Sequence, residues 1–247
     1  MSARMYFGMA LVAFFLIGLA GCNASGPPRM PPEEILQRAV DRMQALKSFQ
    51  FAIDRDGLPA YLNPEHTLGF SRAEGAYNAP DRARAAIRVI APGLVVEVQM
   101  VALGDEYWES GLLSGKWQKL PAGAGFNPAI LFNPQSGFQA ALRSDLHDLE
   151  PAGVEELPEM PGRKLYLLRG IMDGERLYDL SYGLIGPQAV QVRLWVAPET
   201  FEVQRIEIDE PPEASQEAVP GDENLTRWRV DFWDFDRAET VNPPPGG

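Results

Sequence analysis

Apolar residues recur at every second position over much of this chain, and that spacing limits its fold more than any other feature. Leu94, Val96, Val98, Met100 and Ala102 share one side of one segment, while Glu97 and Gln99 mark the other. Val190, Val192, Leu194 and Val196 repeat the pattern against Gln191, Arg193 and Trp195. Successive side chains of a strand point to opposite faces, so the alternation predicts half-buried strands. Further strands are read at 49–54, 66–77, 84–90, 106–109, 116–119, 162–170, 201–209 and 224–235. Eight to eleven strands joined mostly by short turns predict an antiparallel meander.

Helical spacing interrupts this pattern in two places. From Pro32 to about Lys47, residues Ile35, Leu36, Ala39, Val40, Met43 and Leu46 fall on one face. Pro31 and Pro32 suit a helix start, and Glu33 and Glu34 complement the positive end of the helix dipole. Phe126-Asn127-Pro128 and Phe132-Asn133-Pro134 repeat a helix-start tripeptide, predicting a turn over 128–132 and a helix over 134–142. The expectation is an α+β fold: one large curved antiparallel sheet, a half-barrel, with helices on its concave face. Residues 33–240 form the single domain. An acidic loop at 210–221 interrupts it, and a loose tail at 241–247 follows.

Composition removes several function classes. A net charge of −12 argues against nucleic-acid binding, which needs a basic face. A single cysteine excludes an internal disulfide or a CxxC site, and two histidines leave little for a zinc enzyme. No Gly-x-Ser-x-Gly, His-Glu-x-x-His or complete Gly-x-Gly-x-x-Gly occurs, so no catalytic residue, metal ligand or cofactor is assigned. Carboxylate pairs such as Glu33/Glu34, Asp105/Glu106 and Glu155/Glu156 read as solvated faces in so acidic a chain; a glycosidase-type pair stays open.

The N-terminus addresses the compartment. Arg4 is the only charge before an apolar run that reaches Ala20, too short to span a bilayer and typical of a secretory signal. It ends in Leu19-Ala20-Gly21-Cys22, which looks like a bacterial lipobox. Residues 1–21 would be removed, and the Cys22 thiol would carry the lipid. Stable anchoring needs two or more chains, here diacylglyceryl or palmitate-class acyl groups. The mature body loses only Arg4 among its charges, so it is more acidic still, and the lipid must do the anchoring. Residues 22–32 are small, polar and proline-rich and read as a flexible tether. The expected location is the extracytoplasmic face of a cell membrane.

The order of these features resembles the LppX/LprA/LprF/LprG family of bacterial lipoproteins. The matches are the lipobox at Leu19–Cys22, the early helix ending near Ser48-Phe49, and Glu106-Tyr107-Trp108 followed by Gly115-Lys116-Trp117. Phe126-Asn127-Pro128 leading to Pro134 and Gly137-Phe138, the run from Gly162 to Gly170, and Leu194-Trp195-Val196 with Pro198-Glu199-Thr200 complete them. Asp173–Pro187 and the loop 210–221 depart from the family pattern; no helix is read in the first. The resemblance implies a sheet wrapped around helices, similar to the LolA/LolB carriers. It also implies a non-enzymatic protein that binds acyl chains of an envelope lipid or glycolipid and carries or presents them. A transporter or acceptor protein would be its partner.

On that reading the apolar faces supply the cavity wall. The candidates are Leu36, Val40 and Met43 from the first helix, Ile130, Leu131, Phe138 and Leu142 from the middle segment, and Val96, Val98, Met100, Val190, Val192 and Leu194 from strands. A solidly packed interaction module of the envelope and an acidic glycan hydrolase are the alternatives.

Overall fold

The computed structural model describes residues 26–121, 127–211 and 225–245. The expected signal, Cys22, Phe126 and most of the acidic loop lie outside the described residues. Helices run over Pro32–Ala45 (α1), Pro128–Leu131 (α2), Phe138–Asp145 (α3) and Gly174–Leu180 (α4). The strands are Ser48–Asp56 (β1), Ala60–Tyr61 (β2), Gly69–Asn78 (β3), Arg82–Ala91 (β4), Leu94–Leu103 (β5), Glu106–Ser110 (β6) and Trp117–Leu120 (β7). They continue with Leu146–His147 (β8), Gly153–Glu156 (β9), Lys164–Met172 (β10), Val190–Val196 (β11), Val203–Glu210 (β12) and Thr226–Trp233 (β13).

All thirteen strands belong to one sheet. Its order is β7-β6-β5-β4-β3-β1-β13-β12-β11-β10-β8, with β2 on β3 and β9 on β10, and every pairing is antiparallel. The two ends do not pair, so the sheet is large and open. Pairing of β1 with β13 joins the N-terminal meander to the C-terminal strands. The count exceeds the expected eight to eleven because β2, β8 and β9 are too short to show a period.

Alternation sorts the side chains into two faces. Phe49, Phe51 and Ile53 of β1, Val98 and Met100 of β5, Val190, Val192 and Leu194 of β11 and Trp228 and Phe232 of β13 enter one buried cluster. Ile35, Leu36, Ala39, Val40 and Met43 of α1 and Phe138, Ala141 and Leu142 of α3 belong to the same cluster. This inner face is where helices and sheet share their core. Phe132, at the end of α2, stands among Phe49, Phe51, Tyr77 and Phe232 with ring centroids 4.7–6.0 Å apart.

The outer face alternates charge across strands. Asp54 of β1 takes hydrogen bonds from Arg72 of β3 and Arg229 of β13. Asp231 pairs with Arg205 of β12 at 2.6 Å, and Asp209 pairs with Arg193 and Arg227 at 2.9 and 2.6 Å. A one-residue slip would carry these charges into the core, so the ladder and the apolar face specify the same register. Two smaller clusters also cover this face: Leu165, Leu167 and Trp195, and Val101, Trp108 and Val241.

Several boundaries differ from the sequence reading. The helix expected from Pro134 starts at Phe138, because the Asn133 side chain accepts from the N–H groups of Gln135 and Ser136 in a turn. Gly137 makes that turn possible, since a Cβ there would lie 2.5 Å from the Leu131 carbonyl oxygen. The strand expected from His66 begins at Gly69; His66 has φ +55° and stacks on Tyr61. The stretch 173–187, read without a helix, contains α4. The chain ends are held closer than expected: Tyr166 donates to the Pro28 carbonyl at 2.7 Å, Met30 packs on the core, and Val241 is buried.

Candidate functional site

The inner face is apolar along most of the sheet, and among the described residues a small cavity of about 60 Å3 lies between it and the α2, α3 and α4 segment. Ile53 of β1, Phe70 of β3, Ile208 of β12 and Trp228 and Val230 of β13 form its sheet wall. Leu131 and Phe138 close it from α2 and α3, and Leu177, Leu180, Ser181, Leu184 and Ile185 close it from α4 and the turn after it.

Of the expected wall residues, Leu36, Val40, Met43, Val98, Met100, Phe138, Leu142, Val190, Val192 and Leu194 are buried in the inner cluster. Val96 and Leu131 are half-buried at its margin. Ile130 is a correction: α2 is a single turn that buries Pro128 and Ala129, which leaves Ile130 42% exposed. Only Leu131 and Phe138 of the set line the cavity itself. The other buried ones belong to the inner cluster outside that cavity.

The sequence reading missed the α4 wall. Its signal was Leu177, Leu180 and Leu184, an i, i+3, i+7 stripe, obscured by Gly174, Gly183 and Gly186 around it. Gly174 is required by packing: a Cβ there would lie 2.0 Å from the Gln188 carbonyl oxygen. Polar ties join the α4 segment to its neighbours, and His147 lies 3.6 Å from Asp173 at its start. Arg176 pairs with Asp145 of α3 at 2.9 Å, and Glu210 of β12 accepts from the Gly186 N–H at 2.7 Å.

One end of the cavity wall is polar. Glu210, 7% exposed, also accepts from Trp228 Nε1 at 2.6 Å. The Arg55 guanidinium lies over the same indole, 5.1 Å from the ring centroid, and its Nε is buried with no hydrogen-bond partner among the described residues.

A larger hollow of about 610 Å3 lies elsewhere, on the outer face beside residues 239–245. Arg72, Arg84, Arg88, Glu74, Glu97 and Glu239 line it together with Met100, Val101, Trp117 and Pro243–Pro245, so its wall mixes charge with apolar surface. The carboxylate pairs weighed in the sequence have structural partners: Glu34 with Arg38, Glu106 with Lys119, and Glu155 with Trp195 Nε1. Among the described residues no three His, Cys, Asp or Glu side chains are grouped to hold a metal, and no helix is long and apolar enough to cross a membrane.

The model of the LppX_LprAFG lipoprotein family matches residues 31–241. The chain belongs to that family. Its fold is shared with LprF from Mycobacterium bovis, at 14% identity and a TM-score of 0.67, over 90% of this chain and 100% of that one. Lipoprotein LppX from Mycobacterium tuberculosis matches at 15% identity and a TM-score of 0.57, over 85% and 98%. No curated protein matches the sequence. As a member of a lipoprotein family it is placed with membrane-anchored proteins outside the cytoplasm.

Proposed function

We propose that this lipoprotein carries an envelope lipid, with the acyl chains between the inner sheet face and the α2, α3 and α4 segment. The observation that supports this most is the cavity's lining, apolar except for Ser181, from Ile53 and Val230 on one side to Leu177 and Leu184 on the other. Cys22 would hold the chain to the membrane, and a transporter or acceptor protein would receive the cargo. The mechanism is non-enzymatic: apolar side chains replace water around the chains.

Volume sets what must move. Drug-sized ligands occupy about 300–1,000 Å3, against about 60 Å3 here. Loading therefore separates the α4 segment from the sheet. Burying methylenes returns about 0.8 kcal/mol each, so ten of them offer about 8 kcal/mol toward that separation.

Uptake of dioleoylglycerol from vesicles by the chain from residue 23 onward tests the proposal. The sheet and its core lie wholly within residues 26–245, so this piece retains them. Uptake blocked by a larger side chain at Leu184 supports the site. A folded protein that takes up no lipid favours the second reading, a packed interaction module, which the small cavity volume supports.

A further inference from the structure

We propose that Arg55, at the Trp228 and Glu210 end of the cavity, receives an oxygen-rich anionic head, a phosphate or carboxylate, of the lipid whose chains the cavity holds. This rests on the carrier reading and adds the chemistry of the head.

The inner-facing row of β1 runs Phe49, Phe51, Ile53 and then Arg55. Ile53 lines the cavity, so the same row passes from cavity wall to guanidinium within two residues. Trp228 stands opposite Arg55 on β13, lines the cavity and carries the Arg55 guanidinium over its ring. The position is at the sheet's margin, where Asp56 and Gly57 are exposed.

An arginine has five donors and no means of shedding its charge, so a buried and unmatched Nε is costly. Desolvation already pushes the pKa of Arg55 down, and Glu210 counters this only through space. Glu210 is itself committed, one oxygen to Trp228 and the other to the Gly186 N–H. Among the described residues the rim therefore leaves a donor, the Arg55 Nε, without an acceptor. A phosphate or carboxylate oxygen supplies one with a charge-assisted bond, which is stronger than a neutral one. A head bound there would leave its chains pointing past Trp228 toward Ile53, Val230 and Leu184.

The test measures uptake of dioleoyl phosphatidate, oleate and dioleoylglycerol by the delipidated chain from residue 23 onward. The unaltered protein is expected to bind at least one acidic lipid about tenfold more tightly than dioleoylglycerol. Arg55→Met is expected to abolish that preference, read as the ratio of acidic-lipid to dioleoylglycerol uptake by the same variant. Arg55→Gln serves as the second variant if Arg55→Met does not fold. An Arg55-dependent preference for phosphatidate assigns a lipid phosphate, and one for oleate alone assigns a fatty-acid carboxylate; either supports the proposal. No preference for an acidic lipid, or a preference that survives both substitutions, overturns it while the carrier reading stands. Failure to take up any of the three overturns both.

Discussion

At the scale of single residues, Phe132 is the side chain on which the inner core closes. It touches two rings of β1 and one each of β3 and β13, so it joins the halves of the sheet through the end of a one-turn helix. Phe132→Ala is expected to cost about 3–5 kcal/mol, read as a lower midpoint in urea unfolding. Asp54 makes a different contribution. Burial pushes its pKa up, but hydrogen bonds from Arg72 and Arg229 outweigh this and hold it below the usual 3.8. The folded state thus favours the carboxylate. Its stabilisation is complete above the unfolded pKa of about 4 and is lost as pH falls through the lower folded value. Thermal unfolding followed from about pH 6 to pH 3 should show a falling midpoint, and Asp54→Asn should flatten part of that fall. An unchanged profile in Asp54→Asn would remove Asp54 from the account.

At the scale of elements, the α4 segment separates the site from a plain packed core. Leu184 lines the cavity without being fully buried, so a larger ring there fills the space with little strain on the sheet. Leu184→Trp is expected to lower lipid uptake about tenfold or more with the circular dichroism of the fold retained. What the sequence disclosed follows from the physics of each element. Long strands with one wet face, such as β5 and β11, print a period of two and were legible. So was α1, whose stripe runs from Ile35 to Leu46. The short β8 and β9 carry no period to read. In α4, a seven-residue helix beside three glycines, local propensity points away from a helix, and contacts with β12, β13 and α3 decide it. That is why Leu131 and Phe138 were the only cavity residues foreseen. Periodicity says which face of a strand is buried, but not whether a helix or a space lies over it.

At the scale of the whole molecule, the sheet presents two different surfaces. The inner one is apolar and is shared with the helices, with a cavity of about 60 Å3 beside α4 among the described residues. The outer one is a lattice of alternating charges that keeps the register and stays in water. Such a body can exchange buried contacts between helix and sheet for contacts with acyl chains without altering strand pairing. The central claim is that this exchange takes place. Native mass spectrometry of the chain from residue 23 onward, expressed in a bacterium and followed by lipid extraction, tests it most directly. The account predicts a bound species near one lipid per protein, carrying two or more acyl chains. A bare protein mass, together with no uptake of any offered envelope lipid, would contradict it.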